Sequence, residues 1–100
     1  MNNQIFLLKK GDLKTGTFSK KTAGEFHFYE DRIIFKAMGW SRLFNNAPII
    51  IEKSTILRYT EGVAIIGYSI RLETRSGTYH LRFMGDKMQV LNTLNGYISS

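Results

Sequence analysis

The basic side chains near the end of the chain are residues whose types and spacing could bind a ligand. Arg71, Arg75 and Arg82 occur in segments that alternate apolar and polar residues, which places all three on the polar face. A second basic group is the pair Lys20-Lys21. Guanidinium and ammonium groups bind phosphate and carboxylate oxygens, so these residues predict binding of an anion or an acidic partner.

Ordinary surface charge is the alternative interpretation of both groups. Glu73 is close in sequence to two of the arginines and would neutralise them. Lys20-Lys21, joined by Lys14 or Arg32, would attract phosphates on a membrane or a nucleic acid, but a two-lysine run also keeps a loop solvated. Residue types alone leave both interpretations open.

Trp40 and Phe44 are candidate interface aromatics, and they lie in the least regular segment, Met38–Ala47. A tryptophan exposed on a loop can anchor a protein partner or enter a membrane surface. The same ring, if buried, would close one end of a barrel. The turn-forming Gly39 directly before Trp40 slightly favours a turn tip.

Catalysis would require several convergent groups, and the sequence offers few. His27 and His80 are the only histidines, and the strand pattern places them on the polar faces of two different hairpins. The chain has no cysteine, which excludes thiolate ligands and disulfides and suits a reducing compartment. We therefore expect no catalytic residue, no metal site and no cofactor, and a protein that is not an enzyme.

Length and composition predict one small domain over residues 1–100. Apolar residues make up 43% of the chain, which is too many for a disordered segment. The formal net charge of +6 favours anionic partners, although a basic domain of this size needs none. The apolar N-terminal run is too short for a signal peptide, and no stretch could span a membrane, so we expect a soluble cytoplasmic protein, if anything peripheral to the membrane.

The closing hairpin has the clearest pattern, with strands at Tyr68–Arg75 and Thr78–Phe83 around a Ser76-Gly77 turn. A two-residue loop at that turn fixes the pairing of every residue outward from it. The inner-face pairs would be Thr74–Tyr79, Leu72–Leu81 and Ile70–Phe83. The outer-face pairs would be Arg75–Thr78, Glu73–His80 and Arg71–Arg82.

An earlier hairpin is predicted by Glu25–Tyr29 and Arg32–Lys36 around the turn Glu30-Asp31. Its inner pairs would be Phe28–Ile33 and Phe26–Phe35, and its outer pairs Glu25–Lys36 and His27–Ile34.

The remaining segments predict shorter elements. Strands are expected at Asp12–Ser19, Ile49–Ile51 and Ile56–Thr60, and Val63–Ile66 forms either a short strand or the lead into the next one. Lys20–Gly24 is expected to be a polar loop. A helix is predicted over Lys87–Tyr97 with Asp86 as its N-cap. Its apolar stripe would comprise Met88, Leu91, Leu94, Tyr97 and Ile98, with Val90 at the edge.

About seven short strands followed by one C-terminal helix is the order of a pleckstrin-homology (PH) domain. Glu30–Phe35 resembles the T-x-x-R-L-x-F hairpin of bacterial PH and GRAM domains, and Pro48–Ile56 resembles their I-P-L-x-x-I strand and turn. Ser76-Gly77 before a strand, followed by a leucine-rich helix, also matches. The resemblance covers about residues 12–98 and implies a bent antiparallel sheet or barrel capped by a helix.

The chain departs from this family at the basic cluster of its lipid-binding members. Lys20-Lys21 matches the first element of that cluster, but Gly24–His27 contains no lysine or arginine where the second element is expected. By this resemblance, bacterial PH-like domains are better described as interaction or assembly modules. The resemblance therefore implies a non-enzymatic module that binds a protein partner or a second copy of itself.

Two alternatives remain open at this point. The first is peripheral attachment to an anionic membrane through the basic loops. The second, weaker one is binding of single-stranded nucleic acid, since the chain combines thirteen aromatic residues with positive charge. Stacking platforms require exposed aromatic rings, whereas the hairpin aromatics here fall on the apolar face, so nucleic acid is the less favoured partner.

Overall fold

The fold is a seven-stranded antiparallel sheet followed by one helix, as seen in a computed structural model that describes residues 4–15, 21–38 and 47–99. Strand order is β4-β3-β2-β1-β7-β6-β5. The elements are β1 (Gln4–Thr15), β2 (Thr22–Tyr29), β3 (Arg32–Ala37), β4 (Ile49–Glu52), a 3-10 turn (Lys53–Thr55), β5 (Ile56–Gly62), β6 (Tyr68–Thr74), β7 (Gly77–Phe83) and α1 (Lys87–Ser99). Within those residues, the expected mainly-β class with a C-terminal helix is confirmed.

The first strand, β1, pairs with strands of both halves of the sheet. Residues Gln4 to Leu13 of β1 pair with β2, and residues Gly11 to Thr15 pair with β7 on the other side. Two register shifts interrupt the pairing with β2, and such irregularities bend a strand. β1 thereby joins a half-sheet of β2, β3 and β4 to a half-sheet of β5, β6 and β7.

The sequence prediction for this strand was wrong in its position. A strand was expected at Asp12–Ser19, but β1 begins at Gln4, because the apolar run before Lys9 supplies the inward side chains Phe6 and Leu8. Residues 16–20 lie outside the described residues. The expected polar loop at Lys20–Gly24 ends early, since β2 starts at Thr22.

The core is an aromatic cluster on the inner face. Phe26, Phe28, Phe35 and Phe83 are fully buried, and Phe26 is tilted against both Phe35 and Phe83 at ring-centroid distances of 4.9 and 4.7 Å. Aromatic pairs favour such tilted contacts. The residues between them in sequence point outward, as the alternating burial of β2, β6 and β7 shows.

The hairpin formed by β2 and β3 matches its prediction pair by pair. Phe28 lies opposite Ile33 and Phe26 opposite Phe35, and Glu25–Lys36 and His27–Ile34 are paired as expected. The turn falls at Glu30-Asp31.

The register predicted for the closing hairpin was wrong by two residues. Ile70 pairs with Leu81, and the loop is Arg75-Ser76, because Gly77 rather than Ser76 adopts a positive φ, of 138°. Such a backbone favours glycine, so the strand restarts at Gly77 instead of Thr78. A shift of two residues preserves the inner and outer faces but exchanges all cross-strand partners.

The exchange changes the pairs predicted on the outer face. Arg71 lies opposite His80, not Arg82, and Arg82 lies opposite Ser69. Glu73 lies opposite Thr78 instead of His80. The directly opposed arginines of the sequence prediction therefore do not exist.

Two shorter elements also differ from expectation. Val63–Ile66 is neither a strand nor part of one, and β5 runs on to Gly62 before this loop begins. The strand at Ile49–Ile51 is present as β4 with one additional residue.

The helix is present but presents a different face from the one predicted. Val90, Leu94 and Tyr97 are its buried residues, whereas Met88 and Ile98 are exposed. Leu94 and Tyr97 were expected in the stripe, but Val90 replaces Met88 because the helix rests against β5 and the 3-10 turn. Among the described residues, no helix is both long enough and apolar enough to cross a membrane.

Candidate anion-binding groove

The outer face of the half-sheet formed by β1, β7, β6 and β5 carries two rows of side chains that run across all four strands. The first row is Lys14, His80, Arg71 and Thr60. The second row is Asp12, Arg82, Ser69 and Gly62. Each row places residues from both ends of the chain side by side.

The first row is unusual in its charge. Lys14 lies directly opposite His80, and His80 lies directly opposite Arg71, so three basic side chains are neighbours on adjacent strands. The row contains no carboxylate of its own, and its side chains can donate hydrogen bonds to an anion.

Glu73 compensates part of this charge from the adjacent row. Its carboxylate bonds to Arg58 and lies 3.8 Å from Nε of Arg71. The hydrogen bond from Arg58, with the charge of Arg71, holds the pKa of Glu73 below its usual value, so the carboxylate stays ionised. Glu73 is therefore paired mainly with Arg58, and half of the Arg71 side chain remains exposed.

The second row contains an internal ion pair. Asp12 is only 8% exposed, and its Oδ2 accepts a hydrogen bond from Nε of Arg82 at 2.8 Å and forms an ion pair with Nη2 of the same guanidinium at 2.5 Å. Arg82 is thus held against the sheet by a carboxylate from the opposite strand. Its charge is largely balanced before any ligand arrives.

An apolar loop stands beside these rows. It connects β5 to β6 through Val63–Gly67, and Val63 and Ile65 are fully exposed, at 100% and 101%. Ile66 is also exposed, at 59%. Branched aliphatic side chains are rarely left entirely in water, so an exposed group of them indicates a surface that meets a partner or a membrane.

The base of the loop is firmly placed. Gly67 has a φ of 74°, and a Cβ at this position would lie 2.1 Å from the Phe83 carbonyl oxygen, which leaves room only for glycine. The Tyr68 hydroxyl donates a hydrogen bond to the Gly85 carbonyl at 2.8 Å. Burial, with the charge of Asp86 nearby, raises the pKa of Tyr68 well above its usual value, so this hydroxyl keeps its proton.

Loop and rows together enclose a groove of about 380 Å³. Lys14, Lys21, His80 and Arg82 line its basic side, and Val63, Ala64 and Ile65 form its apolar wall. Within the described residues, neither Lys14 nor Lys21 forms an ion pair. The groove therefore offers two ammonium groups to an anionic ligand next to an aliphatic surface.

The structure separates the basic residues that the sequence grouped. Lys21 and Arg82 line the groove, and Arg71 lies at its edge, across from His80. Arg75 lies on the β6–β7 turn, outside the groove. Lys20, Trp40 and Phe44 fall outside the described residues.

Sequence reasoning missed the apolar wall and gave Lys14 only a secondary place. The run Val63–Ile66 is apolar without alternation, and that pattern was interpreted as strand instead of exposed loop. The importance of Lys14 follows from the pairing of β1 with β7, which no local pattern reveals.

The histidines show no catalytic arrangement in the part of the chain that the structure describes. His27 bonds to Gln4 and Glu25 on the outer face of β2, at 2.9 and 3.3 Å. His80 has basic residues on both neighbouring strands. Among the described residues, no three acidic, histidine or cysteine side chains are grouped to hold a metal ion.

Comparison with solved structures identifies the fold as PH-like. The Vps36 N-terminal PH domain matches with a TM-score of 0.71 over 98% of this chain and 80% of that chain, at 14% sequence identity. The C-terminal domain of an unknown protein from Leishmania infantum matches with a TM-score of 0.69 over 99% of this chain and 86% of that chain, at 13% identity. Neither a protein-family model nor a curated protein matches the sequence.

The expected PH-like architecture is therefore confirmed as a fold. The bacterial and GRAM-like assignment of the sequence resemblance stays a prediction.

Proposed function

We propose that this domain is a non-catalytic interaction module that attaches peripherally to anionic membrane surfaces through its groove. The observation that carries the proposal is the adjacency of fully exposed Val63 and Ile65 to Lys14 and Lys21 in one groove. A membrane surface presents phosphates and hydrocarbon within a few ångströms of each other, and the groove presents their complements.

The two halves of the groove contribute different energies. Moving a valine or isoleucine side chain out of water is worth about 1.5–3 kcal/mol. A lysine close to an anionic leaflet contributes about 1 kcal/mol, and salt weakens this attraction. Stable peripheral binding generally requires two such signals, which is why both halves are needed.

Co-sedimentation with vesicles tests the proposal. Vesicles of phosphatidylcholine alone are compared with vesicles that also contain phosphatidylserine, at low and at physiological salt. We expect binding only to the anionic vesicles, weaker at the higher salt. Absence of binding to both vesicle types at low salt would refute the proposal.

Four variants assign the binding to the groove. The double variants Val63→Ser with Ile65→Ser, and Lys14→Ala with Lys21→Ala, should each weaken binding about tenfold or more. The control for apolar loss is Leu57→Ser, because Leu57 is an aliphatic residue on β5 that is 53% exposed and lies outside the groove. The control for charge loss is Lys36→Ala with Arg75→Ala, which removes two exposed cations outside the groove. Equal effects of variants and controls would show that binding, if present, is not located in the groove.

A protein partner is the second candidate, and one observation favours it. β5 is an edge strand of the sheet, and five of its seven residues are exposed, including Leu57. An open edge can accept an added strand from another protein or from a second copy of the chain. Light scattering after size exclusion tests the homo-oligomer, which requires a mass above that of one 11.5 kDa chain.

Nucleic acid is not favoured by the described residues. Phe26, Phe28, Phe35 and Phe83 are buried in the core and cannot serve as stacking platforms for bases.

A further inference from the structure

A second pocket adjoins the groove where the β5–β6 loop begins. Its volume is about 320 Å³, and its walls include Thr60, Ser69, Arg71 and His80. Val63, Ser69 and His80 line both this pocket and the groove, so the two cavities are neighbours on one face of the sheet.

Its polar groups suit a phosphate. Arg71 supplies a half-exposed guanidinium, and Ser69 and Thr60 supply hydroxyl groups. One carboxylate, Glu61, also lines the pocket, but its Oε1 lies 2.8 Å from Nζ of Lys87 and is therefore already paired. The groove has the same organisation, since its carboxylate Asp12 is paired with Arg82.

We propose that this pocket is a second anion-binding site, which takes a phosphate group through Arg71, His80, Ser69 and Thr60. The row Lys14, His80 and Arg71 then carries one phosphate at each end, with the histidine between them. This inference rests on the proposed function in one respect, namely that both sites bind phosphates of the same membrane.

Nuclear magnetic resonance with inorganic phosphate as the probe tests the second site without any membrane. Backbone amides are followed during a phosphate titration of the wild-type chain and of three variants. Lys14→Ala removes the cation of the groove, Arg71→Ala removes the cation of the second pocket, and Arg75→Ala is the control of equal charge loss.

In the wild-type chain we expect phosphate to shift amides near Lys14 and, separately, amides from Ile70 to Leu72. Arg71→Ala should weaken the second response about tenfold or more and leave the first intact, and Lys14→Ala should do the reverse. Arg75→Ala should match the wild type. The amide dispersion of each variant confirms that it is folded, and Arg71→Lys, which retains the charge, should preserve part of the second response.

Three results would overturn the inference. They are no response around Arg71, equal weakening by Arg71→Ala and Arg75→Ala, or loss of both responses together in Lys14→Ala, which would indicate one site. The proposed function fails separately: two phosphate responses without vesicle binding would sink the membrane proposal and leave the second site standing. Vesicle binding that depends on Lys14 but not on Arg71 would support the membrane proposal and argue against the second site.

Discussion

The guanidinium of Arg82 donates a hydrogen bond to Oδ2 of Asp12 from Nε, at 2.8 Å, and its Nη2 forms an ion pair with the same oxygen at 2.5 Å, across the boundary between β7 and β1. This ion pair closes the sheet where its two half-sheets meet, and it also removes one cation from the ligand-binding surface. Asp12 therefore stabilises the fold and at the same time lowers the affinity for an anionic ligand.

Replacing Asp12 by asparagine should change fold stability and ligand affinity in opposite directions. We expect a loss of about 1–3 kcal/mol in the free energy of unfolding, since a largely buried charged hydrogen bond is weakened. Binding to phosphatidylserine vesicles should strengthen at the same time, because Arg82 gains freedom to contact phosphates. Urea denaturation and co-sedimentation measure the two effects. Glu30→Gln is the control, since Glu30 is exposed on the β2–β3 turn and the charge change is the same; an equal gain in binding there would indicate net charge alone.

The hydroxyl of Tyr97 fastens the helix to the β2–β3 turn. It lies within hydrogen-bonding distance of the carbonyl oxygens of Tyr29 and Arg32, the latter at 3.1 Å. Tyr97→Phe should therefore cost about 1–2 kcal/mol in the free energy of unfolding, measured by urea denaturation. A change below the error of that measurement would contradict this role.

The same hydroxyl predicts a dependence on alkaline pH. Burial, aided by the charge of Asp31, raises the pKa of Tyr97 well above its usual value. In the unfolded chain, tyrosine ionises near pH 10, so above that pH the folded state holds a proton that the unfolded state loses. Stability should therefore fall as the pH rises beyond about 10. The fall should be shallower in Tyr97→Phe, and parallel curves for the two proteins would contradict this.

The helix face can be tested with two residues of similar size. Leu94 is fully buried and Met88 is mostly exposed, although the sequence pattern placed both in one stripe. We expect Leu94→Ala to lower the free energy of unfolding by about 2–5 kcal/mol and Met88→Ala to change it by less than about 0.5 kcal/mol. Similar losses from both substitutions would indicate that Met88 and Leu94 are both buried, as the sequence pattern predicts.

Gly77 determines the register of the closing hairpin. Its φ of 138° is unfavourable for other residues, while the space around a Cβ at this position is open. Gly77→Ala should therefore destabilise the fold through the backbone alone, by about 1–3 kcal/mol. Ser76→Ala, one residue earlier in the turn, should have little effect. Thermal unfolding of the two variants makes the comparison, and equal melting temperatures would contradict this role of Gly77.

The two hairpins show what the sequence could predict. Alternation identified the inner and outer faces of both, because a side chain changes face with every residue. Alternation cannot detect a slip of two residues, which leaves every side chain on its face. The register was right where Glu30-Asp31 formed the turn and wrong where Gly77 took a positive φ outside the loop.

The groove was less predictable than the fold for a related reason. Its floor depends on the pairing of Lys14 with His80, which joins opposite ends of the chain. Its apolar wall depends on Val63 and Ile65 remaining in water, although an apolar run ordinarily predicts burial. Each departure from the local rule belongs to the proposed binding surface, where such departures are expected.

The shared position of β1 has a consequence for how this chain is made. β1 leaves the ribosome before the other strands of the sheet, and its pairing partner β2 follows soon afterwards, but β7 is the last of the strands to be synthesised. Until then the edge of β1 that includes Asp12 has no strand beside it, and contacts so distant in sequence form slowly. The sheet and the groove are therefore completed together, once β7 has been synthesised, and a truncated chain that ends before β7 would have neither.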